Sequence, residues 1–245
     1  MRCGTGCARS SASRSSTSRS WSAAPWTTSR ARPASAEPVI RSAAAHLLPA
    51  ALIRFGRRHP KMTVDVRVVP DLGRGIAGEV LDGRADVGMV TLPVRLPGLV
   101  TRELFTEPYV LVHPAGHPDP RALPMIAWHE NCSTQTRRRL AAQDWIPPGD
   151  MTVQDDSVVL SMIGHGLGAA IVPRLTVAGA GGKVAFADLG ADAPMRRVGS
   201  VTTPETAASA VVRDLIADLA SVRPSFSGSG SRGDSPMKAR GAIHP

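Results

Sequence analysis

The stretch SAAAHLLPAALIRFGRRHPKMTVDVRVVPDLGRGIAGEVLDGRADVGMVT, residues 42–91, decides the fold because its apolar residues change period along the chain. Leu48, Leu52 and Phe55 recur at the spacing of one helical face, which predicts an amphipathic helix that begins near His46 and ends before Pro60. An alternating strand, a Gly-rich helix and a second strand follow before the stretch ends. Strands that alternate with helices predict right-handed crossovers and a parallel sheet of the α/β class.

The rest of the chain repeats this alternation. Residues 99–113 predict two strands that Glu107-Pro108 separates, and the Pro- and Gly-rich residues 114–120 predict a boundary. Beyond that boundary, short strands and helices alternate again. Thr-Pro-Glu at 203–205 predicts the start of one helix that runs to about Val222, since it combines a capping hydroxyl, Pro in the first turn and an acid.

The net charge of +9 is concentrated at the two ends of the 245-residue chain. Residues 1–36 contain six Arg and no acid, and residues 224–245 contain three basic residues and one acid, which leaves +1 for residues 37–223. The central part therefore provides no charge argument for nucleic-acid binding. No apolar run is long enough to span a membrane, and the N-terminus lacks the apolar segment of a secretory signal, so we expect a cytoplasmic protein.

Four blocks support a family resemblance: HLLPAALIRFGRRHP from His46, LDGRADVGMV from Leu81, ELFTEPYVLVHPAGHP from Glu103, and DDSVVLSMIGHGLGAAIVPRL from Asp155. In this order they resemble the effector-binding domain of LysR-type bacterial transcriptional regulators over residues 42–222. The resemblance implies two Rossmann-like subdomains joined by two crossover strands, similar to type 2 periplasmic solute-binding proteins. It also implies a homo-oligomer.

The same resemblance implies a division of the chain, with crossover strands at residues 109–114 and 196–202. The expected parts are a disordered Arg/Ser-rich head at 1–38, effector-binding subdomain I at 39–114 and 202–223, subdomain II at 115–201, and a flexible tail at 224–245. Glu37 and Pro38 suit a central strand badly, so the match is expected to fail upstream of Val39. The head does not resemble the winged helix-turn-helix of the family, so we expect DNA contact only through a head not seen in this chain.

A cleft between the two halves is the predicted site for a small-molecule effector, because helix N-termini offer unpaired N–H groups there. The candidate residues are Ser42, Ala43, Thr91, Leu92, Trp128, Ser133, Thr134, Asp156 and Ser157. By resemblance the effector is often an organic acid in this family, whereas Asp155 and Asp156 would oppose an anion. A plain helix cap is the alternative role of each Ser and Thr.

Two other functional classes remain as alternatives to an effector-binding module. The solute-binding protein of a transporter would have the same two-subdomain architecture, but the missing signal sequence argues against it. An enzyme is not predicted, since the sequence shows no nucleophile–base pair, metal-ligand spacing or cofactor loop, and neither a metal nor a cofactor is expected. Cys132 would begin a helix, where a thiol becomes more reactive, yet no resolving Cys is placed beside it.

Overall fold

The computed structural model describes residues 37–69, 74–128, 151–153, 155–191 and 193–224. The helices and strands are β1 (Glu37–Val39), α1 (Arg41–His46), α2 (Leu48–Arg58), β2 (Val66–Val68), α3 (Gly75–Leu81), β3 (Gly88–Leu92), β4 (Val100–Pro114), β5 (Ile126–Trp128), β6 (Met151–Val153), α4 (Asp156–Gly164), β7 (Ala170–Pro173), β8 (Val184–Asp188), β9 (Met195–Thr202), α5 (Pro204–Ala207) and α6 (Ala210–Ser221). Short 3₁₀ helices cover Pro120–Ala122 and Arg174–Val177.

The main sheet has the strand order β2-β1-β3-β9-β4-β7, and β8 also pairs with β4. The strands β1, β2 and β3 are mutually parallel, as the alternation of strands and helices predicts. The strand β9 returns antiparallel between β3 and β4. A separate parallel pair joins β5 to β6. The parallel strands therefore direct their carboxyl ends, and the helices that follow them, to one edge of the sheet.

The strand β4 is continuous over 15 residues, whereas the sequence predicted a break at Glu107-Pro108. The N–H of Tyr109 donates to the Pro194 carbonyl at 3.0 Å on the β9 side. Because N–H groups alternate along a strand, the nitrogen of Pro108 faces the other side, where pairing with β7 begins only at Tyr109 and Pro173. The missing N–H of Pro108 therefore costs no hydrogen bond between strands, and β4 continues through this residue.

Two groups of buried apolar side chains flank this strand. The first cluster draws on α1, α2, α3, β3 and α6, and β4 adds Leu104 and Phe105 to it. The second cluster draws on α4, β5, β7 and β8, and β4 adds Val110 and Val112. The middle of β4 thus lies between two cores, which fits two halves, while the exact boundaries at 114/115 and 201/202 remain predictions.

The predicted amphipathic helix is α2, which begins at Leu48, close to the expected start near His46, and has Pro49 in its first turn. A separate short helix, α1, precedes it from Arg41, and Leu47 separates the two. The missing N–H of Pro49 costs no hydrogen bond within α2, because N–H groups of a first turn have no acceptor in their own helix. The predicted end is confirmed, since α2 stops at Arg58, two residues before Pro60.

The predicted C-terminal helix is two helices. Thr203 caps α5 by accepting from the Thr206 N–H at 3.2 Å, as the Thr-Pro-Glu sequence predicts. Ser209 then adopts an extended conformation with ψ 129°, and α6 begins after it. The new direction lets α6 bury Val212 and Leu215 in the first cluster.

The strand β1 corrects one boundary of the predicted head. It spans Glu37–Val39 and lies between β2 and β3, although Glu37 and Pro38 suit a central strand badly. Pairing with β3 is confined to Val39 opposite Met89, so Pro38 is paired on the β2 side only. The rest of the predicted head, and the tail from residue 225, lie outside the described residues.

Candidate functional site

A fully buried ion pair lies where β4 and β9 run side by side. The register places Glu107 opposite Arg196, and both side chains have 0% of their surface exposed. Arg196 donates to Oε1 of Glu107 from Nε at 2.8 Å and from Nη2 at 2.6 Å. On β4 the pair falls between Phe105 of the first cluster and Val110 of the second. Two buried charges therefore lie between the two apolar clusters.

Further hydrogen bonds tie this pair to two other elements. The second oxygen of Glu107 accepts from the Leu175 N–H at 2.6 Å, in the 3₁₀ helix after β7. Arg196 Nη2 donates to the Ser42 hydroxyl at 2.8 Å, in the first turn of α1. Buried charges need such partners, because an unpaired one carries a large desolvation penalty. Four segments of the chain thus meet at this ion pair.

Thr91 lies on the same face of the sheet as this arginine. Thr91 pairs with Val198, and paired residues of an antiparallel ladder share a face. Residues two apart on one strand also share a face, so Val198 and Arg196 do. The Thr91 side chain is therefore diagonal to Arg196. Thr91 is only 7% exposed, and its hydroxyl has no hydrogen-bond partner among the described residues.

The first turn of α1 leaves the sheet at the edge where Thr91 lies. Val39 pairs with Met89 in parallel register, and Arg41 and Thr91 each follow two residues later. The Ala44 N–H reaches the Ile40 carbonyl, so the earlier N–H groups of α1 have no acceptor within their own helix. Ser42 is nevertheless buried, and its hydroxyl is held by the arginine.

The start of α4 approaches the same place from the second cluster. Asp156 lies 3.7 Å from Nε of Arg41, and Asp155 also pairs with that arginine. Burial raises the pKa of the Asp156 carboxyl above its usual value, while a hydrogen bond from its own backbone N–H and the positive charges of Arg41 and Arg196 oppose the rise. Asp156 therefore lies within electrostatic reach of the buried arginine as well as of α1.

Asp155 caps α4 and occupies the groups that Ser157 would offer. Its carboxylate accepts from the Ser157 N–H at 2.9 Å and from the Ser157 hydroxyl. The Ser157 hydroxyl, followed by its N–H, holds the pKa of Asp155 below its usual value. The N-cap of α4 is therefore Asp155, and the N–H and hydroxyl of Ser157, a candidate effector-binding residue, both donate to it.

The other predicted site residues have different surroundings. Ala43 and Leu92 are buried in the first cluster. Trp128 packs against the second cluster, and its Nε1 has no partner among the described residues. Ser133 and Thr134, like Cys132, lie outside the described part of the chain. The structure thus brings Ser42, Thr91 and Asp156 around one arginine.

Sequence analysis missed the arginine and its acid partner. Arg196 and Glu107 flank apolar stretches and look like ordinary surface charges on short strands. Positions 196, 198, 200 and 202 of β9 are all buried, but only Val198 among them is apolar, and Val201 on the other face is buried as well. The sequence pattern of this strand therefore gave no signal that its arginine is buried.

Two kinds of site have no support in the described residues. No group of three or more His, Cys, Asp or Glu side chains there is arranged to hold a metal ion. Within the same residues, every helix is too short or too polar to cross a membrane. What the arrangement offers is a cluster of hydroxyl, carboxylate and guanidinium groups, most of them buried, between the two apolar clusters.

Comparison with known proteins supports the resemblance seen in the sequence. Residues 39–223 match the family described as the LysR substrate binding domain. The probable HTH-type transcriptional regulator LrrA of Synechococcus elongatus is 32% identical over 145 residues, which cover 55% of this chain and 48% of that protein. A probable hydrogen peroxide-inducible genes activator of Mycobacterium leprae is 32% identical over 80 residues, 33% of this chain and 25% of that protein. This chain thus spans half or less of these relatives.

Solved structures share the fold. The effector-binding domain of a BenM variant superimposes with a TM-score of 0.65 at 15% identity, over 76% of this chain and 92% of that chain. A mutant of Corynebacterium glutamicum OxyR superimposes with a TM-score of 0.62 at 21% identity, over 76% of this chain and 62% of that chain. The predicted fold, two α/β subdomains of the type 2 periplasmic-binding-protein kind, is confirmed.

Proposed function

Because the chain belongs to the LysR substrate-binding domain family, we propose that residues 39–223 are the ligand-sensing module of a transcriptional regulator. The ligand would be a small polar molecule held between the two apolar clusters. One observation carries this proposal: Ser42 from α1, Asp156 from α4 and Thr91 from β3 converge on the buried Arg196. Ligand sites typically combine an apolar lining with a small number of convergent polar groups.

The contact from Arg41 to Asp155 and Asp156 supports a mechanism of opening and closing. It joins α1, which packs in the first cluster, to α4, which packs in the second. A ligand shifts such an equilibrium only by its different affinity for the open and closed forms. Residues 42 and 91 on one side and 156 on the other would supply that difference.

The remaining roles follow from the family. The module would pair with copies of itself, act without catalysis or cofactor, and reach DNA through a domain other than residues 39–223. A regulator that meets DNA works in the cytoplasm, which is the location we propose. The solute-binding protein of a transporter, the alternative from the sequence, is not favoured because the matching relatives are regulators.

A thermal-shift screen with site variants tests the proposal. The full chain is melted with anionic, neutral and cationic small molecules, and a binder raises the Tm in proportion to the logarithm of its concentration. Thr91→Val keeps the shape of the side chain and removes a hydroxyl that has no partner among the described residues. We expect this variant to keep its unliganded Tm and lose most of the ligand-induced shift.

Thr202→Val provides the matched control. Thr202 is also a buried threonine, but its hydroxyl donates to the Asp86 carbonyl at 2.7 Å, at the opposite edge of β3. This variant should lower the unliganded Tm and retain the ligand-induced shift. Equal loss of the shift in both variants would contradict a site at Thr91.

A further inference from the structure

The buried arginine restricts the direction of the Ser42 hydroxyl. Nη2 of Arg196 lies 2.8 Å from the hydroxyl oxygen of Ser42. A guanidinium has N–H donors and no acceptor, so the hydroxyl oxygen must accept in this hydrogen bond. A hydroxyl has one O–H and two lone pairs, and one lone pair is used here. The O–H of Ser42 therefore points away from Arg196.

The arginine is itself held in place by its acid partner. Its Nε and Nη2 both donate to Oε1 of Glu107, at 2.8 and 2.6 Å, and both side chains are 0% exposed. The pairing of β4 with β9 places the two residues opposite each other. Two N–H groups of a rigid planar fork on one carboxylate fix the plane of the guanidinium. The N–H that meets Ser42 therefore has a fixed direction.

The O–H of Ser42 has no acceptor among the described residues, where the bond from Arg196 is the one hydrogen bond of this side chain. Ser221 offers a comparison, since its hydroxyl also accepts from an arginine, Arg54, and its O–H donates to the Asp218 carbonyl at 2.7 Å. Ser42 makes no such bond to its helix and is only 4% exposed. A buried donor without an acceptor costs free energy, which an acceptor on a ligand would recover.

We propose that Arg196 is a positioning residue, which fixes the Ser42 hydroxyl as a hydrogen-bond donor to a ligand that presents an acceptor oxygen there. This inference rests on the proposed function and names the chemistry that Ser42 recognises. Carboxylates and neutral carbonyls both fit, since each accepts from a hydroxyl. Without the arginine, the hydroxyl can rotate and donate to a carbonyl of its own helix, so it contributes less to binding.

A double-mutant cycle on the full chain tests the positioning role. The probes are acetate, acetamide, benzoate and benzamide, which present acceptor oxygens at two sizes and two charges, and titration calorimetry measures each Kd. Ser42→Ala should weaken the tightest probe about tenfold in the wild-type background. In the background of Glu107→Leu with Arg196→Met, which lacks the arginine, the same substitution should weaken that probe less than about threefold.

Ser42→Ala in the background of Thr202→Val is the matched control. Thr202→Val removes a buried hydrogen bond to the Asp86 carbonyl that involves neither Arg196 nor Ser42. The penalty of about tenfold should persist in this background, because a loss of stability alone does not turn the Ser42 hydroxyl. A penalty that shrinks equally in both backgrounds would overturn the positioning role.

The direction of the O–H can also be measured without a probe and without a variant that has to fold. Neutron diffraction from crystals of the deuterated full chain should place the Ser42 deuteron away from Arg196 and without a protein acceptor. A deuteron that is donated to a backbone carbonyl would overturn the inference.

The outcomes of the cycle distinguish this inference from the proposed function. If a probe binds and Ser42→Ala weakens it equally in every background, the positioning role is wrong and the sensing site stands. If none of the four probes binds with a Kd below about 10 mM, both are overturned. A penalty that is lost only together with Arg196 supports both.

Discussion

Two ion-pair systems lie near one another, and their surroundings differ sharply. Glu107 and Arg196 are 0% exposed and share hydrogen bonds with two further elements. Arg41 is 46% exposed where it meets the aspartates of α4. A buried pair cannot lose one member without stranding the other, whereas an exposed pair can exchange its partner for water. The buried Glu107–Arg196 pair therefore suits a fixed junction of strands. The exposed pairs of Arg41 suit a contact that can open.

The largest expected effect comes from breaking the buried pair. Arg196→Met leaves the Glu107 carboxylate buried, with the Leu175 N–H as its one remaining hydrogen-bond donor among the residues that the structure describes. We expect the free energy of unfolding to fall by about 3–5 kcal/mol. Urea denaturation followed by circular dichroism measures it.

The double variant Glu107→Leu with Arg196→Met tests whether the stranded Glu107 carboxylate causes this loss of stability. Removing both charges replaces the pair with apolar side chains, which is often nearly neutral. It should recover more than half of the stability lost by Arg196→Met. A double variant as unstable as the single one would show that packing, and not the stranded carboxylate, dominates.

Ser42→Ala tests the third partner of the buried pair. It removes the acceptor of an Arg196 N–H in a buried position, so we expect a loss of about 1.5–3 kcal/mol. Ser221→Ala is the matched control, because Ser221 also bonds an arginine, Arg54, but is exposed. Similar losses in both variants would contradict the contrast between buried and exposed contacts.

Arg41→Gln tests the exposed ion pairs that Arg41 makes with Asp155 and Asp156. An exposed pair contributes about 0–1 kcal/mol and is screened by salt, so the variant should lose at most that amount at low salt and almost nothing at about 1 M NaCl. Arg197→Gln, which breaks the exposed pair with Glu103, should behave alike. A salt-independent loss above about 2 kcal/mol would show that Arg41 belongs with the buried network.

The smallest effect is in the pH dependence of the two neighbouring aspartates. Ser157 lowers the pKa of Asp155, and burial raises the pKa of Asp156, which faces Arg41 and Arg196. The contribution of Asp156 to stability is therefore present below its unfolded-state pKa and is lost as pH rises through its folded-state pKa. That of Asp155 is lost as pH falls through its own lowered value.

Side-chain carboxyl NMR titration measures both pKa values directly. We expect Asp156 to titrate above Asp155, and Asp156→Asn to remove the upper transition. Stability measured against pH should then differ between wild type and this variant most clearly between the unfolded-state and folded-state pKa values of Asp156. Identical profiles would mean that Asp156 is not desolvated.

The sequence predicted the framework well, because the relevant forces are local. The spacing of Leu48, Leu52 and Phe55 required one apolar helical face, and Pro60 required an end. Thr203 capped its helix as the hydroxyl-Pro-acid order requires. The break predicted at Pro108 was wrong because a missing N–H interrupts a strand only where the neighbouring strand would have accepted from it.

The site was predictable only in part. Ser42, Thr91 and Asp156 were predicted because each stands where a strand ends or a helix begins, and their role in a site stays a prediction. The buried acid and arginine were missed because they are distant in sequence, at positions 107 and 196, and meet only through strand pairing.

By itself the sequence determined the α/β class, the family and the edge of the sheet at which polar groups collect, since periodicity and helix ends are local properties. Tertiary structure alone decided which charges are buried, which acid each arginine meets and which ion pair is exposed to solvent. Those properties depend on desolvation and on partners brought together by antiparallel register, and neither is encoded within a short window of residues.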